Sequence, residues 1–124
     1  MEKKILIIDD DNKNIFALTA TLKAKKLHTV AAPGAAEGIA LLKSDPGIQV
    51  VLMDMMMPGM DGYEAISLIR QDEQLKNLQV IAVTAQAMSG DREKCLAAGA
   101  DHYISKPIDV DVLLGLLEEH IKTE

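Results

Sequence analysis

The chain has 124 residues, 48% of them hydrophobic, which suits one domain with a normal core and leaves little room for a second. Its formal charge of -6 repels polyanions, and Lys and Arg nowhere cluster with aromatics, so direct nucleic-acid binding is not expected. A single cysteine, Cys95, excludes an internal disulfide and suits a reducing compartment.

The start, Met1-Glu2-Lys3-Lys4, carries two lysines before a four-residue apolar run, Ile5-Leu6-Ile7-Ile8, which Asp9, Asp10 and Asp11 end at once. That pattern is neither a secretory leader nor a membrane span, and a cytoplasmic location with no membrane contact is expected. The run lacks alternation and predicts a central parallel strand covered on both faces. Next, Ile15, Leu18 and Leu22 fall on one helical face, with Asp10 or Asp11 available as N-cap. A weaker strand is predicted over residues 27–31. An Ala-rich helix over 35–43 then stops before the turn tripeptide Asp45-Pro46-Gly47.

Residues 50–53 form the second continuous apolar run, again ended by an acid, Asp54. A helix over 63–71 turns Ile66 and Ile69 inward, and a strand over 79–83 follows. The fourth helix is predicted over about residues 89–98, with Gly99 placed to end it and Cys95 as a small buried helix residue. A strand over 101–104 precedes the last helix, where Val110, Leu113, Leu114, Leu117 and Ile121 make one stripe and Asp109 stands near the start. Strand and helix thus alternate five times through short connections. Right-handed crossovers then give one α/β domain, a parallel sheet with helices on both faces.

In such sheets, ligands bind beyond the carboxyl ends of the strands. Asp9, Asp10 and Asp11 follow the first strand, Asp54 the third and Thr84 the fourth, while Lys106-Pro107 lies near the end of the fifth. Carboxylates brought together this way repel each other, and a hard divalent cation relieves the repulsion. Mg²⁺ (or Mn²⁺) held by Asp10 and Asp54 would neutralise charge where a phosphoryl group arrives. An aspartate can then act as nucleophile to form an acyl phosphate, with Lys106 and Thr84 receiving the phosphoryl oxygens. Taken singly, each of these residues is more often a cap, turn or solvated surface residue. Their occurrence on consecutive strand ends is what points to chemistry. His28, His102 and His120 are scattered and lack metal-ligand spacing. The methionines around Asp54 are better explained by adaptable packing than by copper binding.

Four segments carry a family resemblance: Ile7-Ile8-Asp9-Asp10-Asp11, the run Met53-Asp54-Met55-Met56-Met57-Pro58-Gly59-Met60-Asp61-Gly62, Val83-Thr84-Ala85 and Ser105-Lys106-Pro107. In order and spacing they resemble the receiver domain of response regulators in two-component signalling, across essentially all of residues 1–124. Thr84-Ala85-Gln86-Ala87-Met88 and Ala98-Gly99-Ala100-Asp101 look like receivers of hybrid sensor kinases and related single-domain regulators. The resemblance implies a flavodoxin-like (βα)5 fold with strand order 2-1-3-4-5. It makes Asp54 the phosphoacceptor, Asp10 a direct Mg²⁺ ligand, Asp9 a ligand through water or hydrogen bonds, and the Met56 carbonyl a backbone ligand. Lys106 contacts the phosphoryl group through a chain with a cis bond to Pro107, and the Ala85 N–H completes the cradle. Thr84 and Tyr103 are the paired switch residues.

The same resemblance implies a phosphohistidine donor on a histidine kinase or histidine phosphotransfer protein. It implies an output face formed by the fourth helix, fifth strand and fifth helix, and a monomer or weak phosphorylation-dependent dimer. The chain would catalyse its own phosphorylation and autodephosphorylation without being a turnover enzyme. Met56 and Gln86 occupy the positions that tune phosphate lifetime; Gln86 can orient water where Met56 cannot, so an intermediate lifetime is expected. Two alternatives are weaker. A haloacid-dehalogenase-like phosphatase would use Asp9 and Asp11 as its Asp-x-Asp pair, but it lacks a later acidic pair and leaves Asp54 idle. A flavodoxin-like binding module would meet three aspartates where it needs to hold a phosphate.

Overall fold

The computed structural model describes residues 3–85 and 90–120, with side chains through residue 118. Its two central strands are the continuous apolar runs. In β1 (Lys4–Ile8), Leu6 and Ile8 point to one face of the sheet and Ile5 and Ile7 to the other. In β3 (Ile48–Asp54), Val51 and Met53 share the first face while Val50 and Leu52 share the second. Period-two alternation persists, but both faces are buried, and so the sequence reads as unbroken apolar residues.

Helices supply the two covers. Ala35 and Leu42 of α2 (Ala35–Ser44), Ala65, Ile66 and Ile69 of α3 (Gly62–Gln71) and Cys95 of α4 (Asp91–Ala98) close the first face. Leu22 of α1 (Asn12–Ala24) with Leu113 and Leu117 of α5 (Val110–His120) close the second. Truncating a fully buried leucine such as Leu113 in such a core costs about 2–5 kcal/mol. With β2 (His28–Ala32), β4 (Gln79–Thr84) and β5 (His102–Ser105), the sheet is parallel throughout and ordered β2-β1-β3-β4-β5. The expected fold class is the one observed. No helix among the described residues is long and apolar enough to cross a membrane.

Local chemistry sets the boundaries. Asp11, not Asp10, caps α1, its side chain accepting from the Lys13 N–H, and Asp61 caps α3 by accepting from Glu64. Asp109 Oδ1 accepts from the amides of Asp111 and Val112 at the start of α5. Gly99 ends α4 at φ 119, as its position suggested. Strand β2 begins one residue later than expected. Lys26 is left-handed at φ 64 and the Leu27 N–H bonds back to Leu22, so Leu27 finishes the helix turn. The start expected for α4 near residue 89 lies outside the described residues; α4 is described from Asp91. Ile121 likewise lies outside them.

Candidate functional site

The strand order reverses direction between β1 and β3, so their carboxyl ends flank an open crevice. Among the described residues, the buried polar or charged side chains are Asp9, Asp54 and Thr84, and all three stand at that edge. Asp9 follows β1, Asp54 ends β3 and Thr84 ends β4. Burying such groups is costly unless they are partnered, which makes their concentration at one rim informative.

Asp9 is held by backbone and side chain. Its Oδ1 accepts the Asp11 N–H at 2.8 Å and its Oδ2 accepts Asn14 Nδ2 at 3.5 Å. Asp54 Oδ1 accepts the Met56 N–H at 3.1 Å. Lys106, one residue beyond β5, is anchored by its own N–H to the Thr84 carbonyl at 2.7 Å. That anchor brings its Nζ to 3.5 Å from Asp9 Oδ2 and 3.8 Å from Asp54 Oδ2. The Lys106–Pro107 bond is cis. Gly62 closes the loop after β3 so tightly that a Cβ there would lie 2.7 Å from Met55 Cα and 3.0 Å from the Asp54 carbonyl.

One lysine does not balance this rim. Oxygens of Asp9, Asp10 and Asp54 lie within 4.8 Å of one another, with Asp10 exposed to solvent. Burial pushes the Asp54 carboxyl up to about 6; the Met56 N–H pulls it down, Asp9 raises it further and Lys106 lowers it. A cluster of hard oxygen donors carrying excess negative charge, with one member facing solvent, is a donor set that fits Mg²⁺ or Mn²⁺.

The other expected residues fall around this core. Met56 is 52% exposed while Met53, Met55 and Met57 are buried in the core, so one methionine of the run is open to solvent and the rest pack. Ala85 follows Thr84 and is exposed; Gln86 lies outside the described residues. Tyr103 is half-buried on β5, its hydroxyl donating to Asp91 Oδ2 at 3.2 Å. Asp11 is exposed and engaged in capping α1, so it does not pair with Asp9 as an Asp-x-Asp nucleophile site would require.

Three neighbours were not singled out from the sequence: Asn14 on Asp9, and Asp91 with Tyr63 around Tyr103. Asn14 sits five positions after Asp9 on the first turn of α1, a spacing that points back toward the strand end. Asp91 carries no comparable local signal. Beside Asp54, a cavity of about 490 Å³ runs between α1 and α5, lined among others by Asn14, Leu18, Lys106 and Ile108.

Known proteins share this arrangement of elements. The family model for the response regulator receiver domain matches residues 5–118. The polar-differentiation response regulator DivK of Brucella ovis is 31% identical over 121 residues, which cover 98% of each chain. A response regulator receiver protein from Pseudomonas putida matches with a TM-score of 0.90 at 27% identity, over 97% of this chain and 98% of its own. The receiver domain of a sensor histidine kinase from Pseudomonas aeruginosa PAO1, solved with a magnesium ion coordinated in its active-site cleft, matches with a TM-score of 0.87. Its identity is 29%, over 99% of this chain and 100% of its own.

Proposed function

This chain belongs to the response regulator receiver domain family, and from that premise we propose that Asp54 accepts a phosphoryl group from a phosphohistidine and thereby switches partner binding. The donor is a histidine kinase or histidine phosphotransfer protein, residues 1–124 act as one receiver, and the setting is the cytoplasm. The observation that carries this reading is the gathering of Asp9, Asp54 and Thr84, the buried polar side chains among the described residues, at one sheet edge beside Lys106.

A carboxylate oxygen of Asp54 attacks phosphorus; the new O–P bond forms as the P–N bond breaks, and the donor imidazole leaves with the bonding pair. Asp10 and Asp54, the Met56 carbonyl, and Asp9 through water or hydrogen bonds would hold Mg²⁺ or Mn²⁺. Bound there, the ion offsets the negative charge that otherwise repels the phosphoryl group. The Lys106 ammonium, tethered through its backbone to Thr84, meets one phosphoryl oxygen. The Thr84 hydroxyl and the Ala85 N–H meet others. As Thr84 turns toward the phosphate, Tyr103 follows inward, and the face formed by α4, β5 and α5 changes for a downstream partner. Water attack on the acyl phosphate later resets the switch, a self-dephosphorylation without turnover of an external substrate.

Incubation with acetyl phosphate tests this reading. The intact mass of the wild type gains one phosphoryl group with Mg²⁺ and none after chelation, and Asp54→Asn gains none in either case. Metal-independent labelling, or labelling that survives Asp54→Asn, would overturn it.

A further inference from the structure

Around Tyr103 the fold builds a second constellation, away from the acidic rim. Asp91, the first residue of α4, offers each carboxylate oxygen to a different tyrosine. Oδ1 accepts the Tyr63 hydroxyl at 3.3 Å and Oδ2 accepts the Tyr103 hydroxyl at 3.2 Å. Tyr63 lies at the start of α3, immediately after the tight Gly62 that follows the acceptor loop. Its hydroxyl also sits 3.8 Å from Cys95 Sγ, and Lys94 stands 4.6 Å over its ring. One carboxylate therefore ties three elements, α3, α4 and β5, through two phenols. These are the only two tyrosines in the chain.

We propose that Asp91 is a positioning residue that couples Tyr63 to Tyr103, so that phosphorylation of Asp54 is also felt on the α3–α4 surface. The proposal rests on the reading of Tyr103 as a switch residue. A charged acceptor binds its donors strongly, and each phenol can donate only one proton. When Tyr103 turns toward Thr84, its hydroxyl leaves Oδ2 and Asp91 keeps Tyr63 as its remaining phenol donor. The electron density and orientation of the shared carboxylate then change at the Tyr63 hydroxyl. Burial first, then Cys95 and Asp91, raise the Tyr63 phenol above the ordinary tyrosine range; burial and Asp91 raise Tyr103 too. Both rings are therefore protonated donors at neutral pH. Tyr63 lines one surface recess with the exposed Leu68, so the coupled surface includes apolar area.

The full chain, isotope-labelled at tyrosine Cζ, gives two carbon signals that can be followed by NMR as acetyl phosphate and Mg²⁺ are added. In the wild type both signals are expected to shift on phosphorylation. In Asp91→Asn the Tyr103 signal should still shift, while the Tyr63 response is lost. Tyr63→Phe, which deletes a single hydroxyl, approaches the link from its other end: the Tyr103 signal of the unphosphorylated protein should move from its wild-type position. A Tyr63 signal that stays fixed in the wild type while Tyr103 moves would overturn the coupling alone. An unchanged Tyr103 signal in Tyr63→Phe would do the same. If neither tyrosine responds although the mass shows phosphorylated Asp54, the switch reading of Tyr103 fails and the coupling fails with it.

Discussion

The two ends of the sheet treat aspartate in opposite ways. At the amino ends of the strands, Asp45 meets Lys4 at 2.8 Å and accepts the Gly47 N–H at 2.9 Å. Asp72 meets Lys43 at 2.8 Å and accepts the Gln74 N–H at the same distance. Asp101 meets Arg70 at 2.9 Å and accepts the Val80 N–H at 2.8 Å. At the carboxyl ends, the oxygens of three aspartates lie within 4.8 Å of one another, and Lys106 comes no nearer than 3.5 Å. Proton affinities follow. The Lys4 and Lys43 partners hold Asp45 and Asp72 below the ordinary carboxylate range, whereas burial holds Asp54 up at about 6. One rim pairs its charges and fastens the fold; the other gathers more negative charge than its single lysine balances, a donor set that fits a divalent cation.

The largest expected effects separate the rims outright. Asp54→Asn should reduce phosphoryl acceptance to background in the acetyl phosphate assay. In metal-free buffer near neutral pH it should raise the stability of the fold by about 1–2 kcal/mol, because it removes a buried charge from a repulsive cluster. Arg70→Ala should do the reverse. The Arg70 guanidinium donates to the carbonyls of Gly99, Lys76 and Leu78 as well as to Asp101, so its loss strands several acceptors and one partly buried carboxylate. Urea denaturation should show a loss of about 2–4 kcal/mol, with phosphorylation of the folded fraction unchanged. If Arg70→Ala is neutral in stability, the fastening role of the amino rim is wrong.

A smaller effect distinguishes the rims by pH. The folded state binds a proton at Asp54 more tightly than the unfolded chain does. The contribution of this group is therefore fully present below the unfolded value of 3.8 and is lost as pH rises through about 6. Metal-free wild type should become more stable between about pH 7 and pH 5, and Asp54→Asn should lack that gain. Saturating Mg²⁺ should abolish it by holding the carboxylate ionised. The smallest effect belongs to Asp45→Asn. Asp45 has a lowered proton affinity, so its contribution is present above 3.8 and lost as pH falls through its folded value. An asparagine still accepts the Gly47 N–H, so near neutral pH only the Lys4 pairing is lost, and added salt should erase most of the difference in melting temperature.

Much of this division was legible in the residues, for stated physical reasons. β1 and β3 announce themselves because both of their faces are covered, leaving no polar position to interrupt the run. Asp9, Asp54, Thr84 and Lys106 stand out because topology carries consecutive strand ends to one rim. Boundaries governed by backbone geometry were less legible: nothing in Lys26 or Leu27 signals a left-handed residue that delays β2. Asp101 was expected to begin β5, but its carboxylate is taken by Arg70 and Val80, and the strand starts at His102. Partners far apart in sequence were not legible at all. Tyr63 and Asp91 are 28 residues apart, and only the packing of α3 against α4 brings them to one hydrogen bond.

On the proposed reading, the acidic rim makes an acyl phosphate on Asp54. Hydroxylamine attacks acyl phosphates and leaves a hydroxamate at the carbon that carried the phosphate, so it marks the site permanently. After incubation with acetyl phosphate and Mg²⁺, hydroxylamine treatment and peptide mass spectrometry should place the hydroxamate on Asp54, with unmodified peptide when Mg²⁺ is withheld. A hydroxamate on Asp9 or Asp10, or a stable phosphate ester on Thr84 with Asp54 untouched, would contradict it.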